Sequence, residues 1–114
     1  MMKNLDTILL AAMVTWASSA MADDGAILAR GKHVFNQWCA SCHGVGNHMA
    51  GTASLAAKYS GSIPAALEER TDLNPDFIRY FVRNGVLIMP AFRKTEVSDT
   101  DLAALAAYLS HPTK

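Results

Sequence analysis

No excess of charge of either sign runs through this chain. Lys and Arg together number 10, Asp and Glu 10, and the formal net charge is zero. Nucleic-acid binding needs a basic stripe, and none is present. The two-residue alternation of a half-buried strand is also missing, and no segment repeats. The main apolar stretch near the start, Ile8 to Ala17, falls short of the roughly 20 residues that cross a bilayer. With 114 residues there is room for one small domain. Cysteine is scarce: any thiol chemistry must come from Cys39 and Cys42.

What is present begins with a leader. Lys3 supplies a weakly positive start, the apolar stretch follows, and Ala20-Met21-Ala22 is a small-residue cleavage site. Residues 1–22 therefore read as a secretory signal peptide. Cleavage after Ala22 leaves residues 23–114, an exported domain expected in the periplasm without a stable membrane anchor. A domain this small has a marginal core, which a bound apolar group would stabilise by favouring the folded state.

The domain reads as all-α. Ile27, Val34, Phe35 and Trp38 fall at helical spacing, which predicts a helix from Ala26 to Cys39, with Asp23 and Asp24 ahead of it where acids suit a helix start. Gly31 stands inside that helix at a cost of about 1 kcal/mol against alanine. Residues 44–62 show little periodicity and predict a long loop, with a short helix near Ser54–Tyr59. A loop of that length needs something to fill it. Ser62-Ile63-Pro64 predicts a helical turn through Glu69, capped by the serine. Asn74-Pro75-Asp76 opens a clearer helix, carrying Phe77, Ile78, Phe81 and Val82 and stopped by Gly85. Ser98, with Asp101 at the third position, caps a last helix. Its apolar face is Leu102, Leu105, Ala106 and Leu109, and it ends at His111-Pro112.

The chemistry centres on Trp38-Cys39-Ala40-Ser41-Cys42-His43-Gly44. C-x-x-C alone also suits a redox dithiol, but that motif normally sits in a βαβ setting. Tetrahedral zinc needs about four ligands, and His33, His48 and His111 fit no common zinc spacing. C-x-x-C-H in an exported helical chain reads as covalent haem c attachment. Cys39 and Cys42 bond the porphyrin, and His43 ligates the iron. The sixth ligand is expected to be Met89, in an apolar segment that Pro90 keeps out of helical geometry. Met49 and His48 lie too close to His43 in sequence to reach the opposite face of the ring, and read as loop residues; His33 and His111 read as surface or helix-end residues.

These residues resemble a small class I cytochrome c. The resemblance spans the mature region, from the helix entering Cys39–His43, through Asn84-Gly85 and Met89-Pro90-Ala91-Phe92, to Ala107-Tyr108-Leu109. It implies first and last helices that cross at Gly31, with Phe35 and Tyr108 at the crossing, and a haem wrapped by loops and short helices. The runs Arg70-Thr71-Asp72-Leu73-Asn74-Pro75, Val82-Arg83-Asn84-Gly85-Val86 and Met89 to Glu96 are similar to the cytochrome subunits of flavocytochromes of the 4-cresol dehydrogenase (methylhydroxylase) and eugenol hydroxylase type. That likeness implies a flavoprotein dehydrogenase partner acting on para-alkylphenols, a downstream periplasmic acceptor, and no catalysis by this chain alone. One departure stands out. Many class I cytochromes have a proline about a dozen residues after the haem histidine, whose carbonyl orients the imidazole. Here the next proline is Pro64, so a carbonyl around Gly51–Leu55 is expected to take that role.

Phe77, Phe81, Val86, Leu87, Ile88 and Phe92 are expected to keep the pocket dry. Arg83, Arg93 and Lys94 surround the Met89 segment, where they suit haem propionates, a docking rim, or solvent. Tyr59 suits a propionate donor or an ordinary loop aromatic. The alternatives are a general soluble electron carrier, a small haem enzyme or gas-binding protein with a labile sixth position and His48 nearby, and a disulfide oxidoreductase without haem.

Overall fold

The structure, a computed structural model, describes residues 23–111. The expected leader and Pro112 lie outside them. Helix α1 covers residues 23–38, so Asp23 and Asp24 stand inside the helix rather than ahead of it. Its inward face is Leu28, Gly31, Val34, Phe35 and Trp38, a run at helical spacing. Ile27, expected on that face, is 44% exposed; Leu28 takes its place. A short helix α2, Ala40–His43, follows a break at Cys39.

Helix α3 spans Ala50–Tyr59, longer than the short helix expected in a loop. Ser60, with φ 50°, ends it in the left-handed region. Ser62 does not open a helix. Its hydroxyl donates back to the Tyr59 carbonyl at 2.7 Å, closing α3, and only Leu67–Glu69 forms a 3-10 turn before the next helix.

Helix α4, Pro75–Asn84, starts as its sequence dictates: the Asn74 side chain accepts from the Phe77 N–H at 2.9 Å and proline holds the first position. Helix α5, Asp99–Ser110, starts with the Ser98 hydroxyl accepting from the Asp101 N–H at 3.1 Å. Among the described residues there is no strand, only an isolated bridge between Val86 and Met89. No described helix is long and apolar enough to cross a membrane.

The core sits where α1, α4 and α5 meet. Phe35, Leu105 and Val97 are its largest fully buried side chains. Gly31 lies at the crossing of α1 and α5. A Cβ there would fall on the Ala104 carbonyl oxygen and 2.5 Å from Tyr108 Cβ, so only glycine lets the two backbones approach this closely. Phe35 and Tyr108 pack with ring centroids 6.3 Å apart. The Tyr108 hydroxyl donates to Glu68, tying the crossing to the 3-10 turn. Burial, with that carboxylate, pushes the phenol up to about 12.

Candidate functional site

The α1–α2 junction, helices α3 to α5 and the segments between them line one cleft. Cys39 and His43 come from the α1–α2 junction. Leu55, Lys58 and Tyr59 come from α3, and Leu67, Arg70 and Leu73 from the segment around the 3-10 turn. Phe77, Ile78, Phe81 and Val82 form the α4 wall. Val86 and Met89 close one side, and Leu105 and Leu109 of α5 lie behind. Apolar side chains dominate, so a ligand seated here is largely out of water.

The motif is helical at its base. The Cys39 N–H donates to the Phe35 carbonyl at 2.9 Å and the His43 N–H to the Cys39 carbonyl at 2.8 Å. Cys42 is exposed, and both thiols are free. Burial, with Cys42 beside it, pushes the Cys39 thiol up to about 12. A redox dithiol needs a lowered thiol pKa to attack, and this site does the reverse. Among the described residues no three His, Cys, Asp or Glu side chains converge on one point, so a four-ligand zinc site has no ligand set there.

Burial holds the His43 imidazole below its usual range, which keeps it neutral at pH 7, the form that binds a metal. Its Nδ1 is buried and has no hydrogen-bond partner. The acceptor expected around Gly51–Leu55 is therefore not supplied: those residues lie in α3, where Gly51 faces the imidazole edge with no room for a side chain. A Cβ on Gly51 would stand 2.7 Å from His43 Cε1 and 2.8 Å from Nδ1. With Nδ1 closed off, Nε2 is the nitrogen free to coordinate.

Met89 is positioned by a tight turn. The Val86 N–H donates to the Met89 carbonyl at 3.1 Å and the Met89 N–H to the Val86 carbonyl at 2.9 Å. Gly85 precedes the turn with φ 66°, and a Cβ there would stand 2.5 Å from the Met89 carbonyl oxygen. Beyond it, the Phe92 N–H donates to the Val82 carbonyl at 2.8 Å. The turn pairs Val86 with Met89 and puts Leu87 and Ile88 at its tip. They are 98% and 86% exposed, so they do not dry the pocket as their hydrophobicity predicts. Phe92 does not line it either; it packs edge-on against Trp38, centroids 6.0 Å apart.

Arg83 stands outside the cleft lining. Its guanidinium donates to the Phe92 and Val97 carbonyls at 3.1 and 2.9 Å and pairs with Asp99 at 2.8 Å, stapling the 92–99 segment to α4. Arg93 pairs with Glu96, and Lys94 with Asp99. The cleft's cations are instead Lys58 and Arg70, with Tyr59 between them: both stand over its ring, at 5.4 and 5.2 Å. The Arg70 side chain is 5% exposed and forks onto Asp72 at 2.8 and 2.6 Å. Neither Arg70 nor Lys58 stands out in the sequence, and the one trace is the Arg-x-Asp spacing just before the α4 cap. Met49 and His48 do not line the cleft.

The Arg83 placement carries a prediction. Arg83→Ala should lower the unfolding free energy by about 2 kcal/mol, because two part-buried carbonyls lose a charged donor, while the visible spectrum stays unchanged. A denaturant titration checks this; unaltered stability with an altered spectrum would place the side chain at the ligand instead.

A family model described as cytochrome C oxidase, cbb3-type, subunit III matches residues 26–109. Cytochrome c6 of Synechococcus sp. is 37% identical over 113 residues, which is 95% of this chain and 91% of the relative. The chain belongs to the class I c-type cytochromes. Cytochrome c6 of Tetradesmus obliquus is 37% identical over 84 residues, 72% of this cytochrome and 86% of that one. Cytochrome c-552 of Bradyrhizobium diazoefficiens is 29% identical over 101 residues, 89% and 86% of the two chains. No solved structure gives a significant match. The cytochrome carries one covalently bound haem c and is a monohaem electron carrier. Its residues fit that group. The Cys39 thiol, the neutral imidazole and the thioether all line the cleft, the walls are apolar, and two cations with a phenol gather in the lining.

Proposed function

We propose that this cytochrome, exported to the periplasm by its 1–22 leader, is the electron-accepting subunit of a flavoprotein dehydrogenase that oxidises para-alkylphenols. When bound, haem c supplies one reversible electron per cycle. Two-electron oxidation of a phenol leaves a flavin reduced by two, and a one-electron carrier must take those electrons singly. In this reading Cys39 and Cys42 would bond the porphyrin and His43 and Met89 would ligate the iron, a ligand set that suits electron transfer rather than binding of a further ligand. Lys58, Tyr59 and Arg70 are the groups in the lining suited to the propionates.

The observation that carries the reading is the Val86–Met89 turn. It sets two exposed apolar side chains, Leu87 and Ile88, two residues and one residue from Met89, where a partner covering them comes close to the iron. The likeness of the Arg70–Pro75 and Met89–Glu96 runs to flavocytochrome subunits supports the choice of partner. The likeness to cytochromes c6 and c-552 favours a second reading, a general carrier that shuttles between several proteins. Stopped-flow mixing separates the two. Substrate-reduced flavoprotein of the 4-cresol dehydrogenase type should reduce this cytochrome at least tenfold faster than it reduces a c6-type cytochrome. Equal rates would favour the general carrier.

A further inference from the structure

The haem histidine has an unusual support. A ligating imidazole is normally oriented by a hydrogen bond from its other nitrogen, yet His43 Nδ1 is buried and makes none. Orientation must then come from what the ring touches. The backbone of Gly51 fills that place: a Cβ there would meet Cε1 and Nδ1 at 2.7 and 2.8 Å, and the Cys42 carbonyl oxygen at 2.8 Å. Gly51 sits in the first turn of α3, and the position of that turn is fixed by its neighbour. Thr52 is 8% exposed. Its hydroxyl donates to the Gly44 carbonyl at 2.6 Å, with the Cys42 carbonyl at 3.5 Å as a second acceptor. Those two carbonyls flank His43 in sequence.

We propose that Gly51 and Thr52 are positioning residues for the axial imidazole. Thr52 ties the start of α3 to both sides of His43, and Gly51 clamps the ring by direct contact in place of a hydrogen bond at Nδ1. This rests on His43 as the haem ligand. The clamp works only with a residue lacking a side chain at 51 and a donor at 52. The serine hydroxyl is equivalent in this respect, whereas valine keeps the threonine shape and loses the donor.

The test is proton NMR of the ferric holoprotein, in which the four haem-methyl resonances are spread by the orientation of the axial imidazole plane. In the wild type, the His43 ring protons, assigned by connectivity to their own backbone, must carry hyperfine shifts; without them the ligand reading itself has failed. Given those shifts, Thr52→Val and Gly51→Ala should each displace at least one methyl resonance beyond its linewidth or split the set into two. Thr52→Ser should keep the wild-type pattern. A wild-type pattern in Thr52→Val or in Gly51→Ala would overturn the clamp, as would a displaced pattern in Thr52→Ser. Should Thr52→Val not accumulate as holoprotein, Gly51→Ala decides alone.

Discussion

Met89→Ala is expected to give a holoprotein whose ferric iron is high-spin. The thioether-to-iron band at the red end of the visible spectrum should disappear, and the reduced protein should bind carbon monoxide rapidly. The physical ground is the scarcity of substitutes. Neither Met49 nor His48 lines the cleft, and the Val86–Met89 turn is held at both ends, by Gly85 before it and by the Phe92–Val82 hydrogen bond after it. A truncated side chain at 89 therefore leaves no other thioether and no second imidazole in the cleft lining to take its place. The fold itself should survive, because the turn's backbone bonds do not involve the side chain. If the band persists in the variant, the proposed ligand is wrong and another sulfur must be sought. Carbon monoxide binding in the unaltered protein would instead favour a haem enzyme or gas-binding protein.

Gly31→Val should be the most destabilising single change in the core. Its first added carbon would land on the Ala104 carbonyl oxygen, a backbone atom that cannot move without shifting α5. Overpacking costs about 1–3 kcal/mol and occasionally more, and a clash with a backbone atom belongs at the upper end, about 3 kcal/mol. In a domain of this size that lowers the melting temperature on the order of 12–24 °C. Thermal unfolding of the holoprotein, followed at the haem absorption, reads it out. A fall of less than about 4 °C, equivalent to about 1 kcal/mol, would mean that the helices do not meet as closely as described.

Local chemistry explains which parts of the molecule are legible from the chain. Asn74-Pro75-Asp76 and Ser98 with Asp101 begin helices because cap and first turn are contiguous, and both helices form where the residues place them. Gly31, Phe35 and Tyr108 could be matched to a crossing only through family resemblance, since nothing local says which helix a glycine faces. Helix α3 was harder. Its residues are mainly small, so no apolar stripe announces it, and its start at Ala50 has no side-chain cap. Ser62 could serve either neighbour, and the left-handed Ser60 decided that it closes α3.

Among the charges, nearness in sequence misled. Arg83 is close to Met89 along the chain, but its helical phase directs it to the Phe92 and Val97 carbonyls. Arg70 is distant from both expected iron ligands, yet the path from α3 to α4 brings it into the cleft. Leu87 and Ile88 show the same limit. Hydrophobicity predicts burial, whereas the pairing of Val86 with Met89 sends the two residues between them outward.

The two thiols lie within residues 39–42, less than one helical turn. A tether that short makes no demand on the distant parts of the chain, so melting the helices does not release the porphyrin. For a dissociable ligand, stabilisation rises with its free concentration. Here the effective concentration is fixed by a few covalent bonds, and diluting the protein does not change it. Refolding of the holoprotein is then a unimolecular event whose midpoint is independent of protein concentration and of added haem.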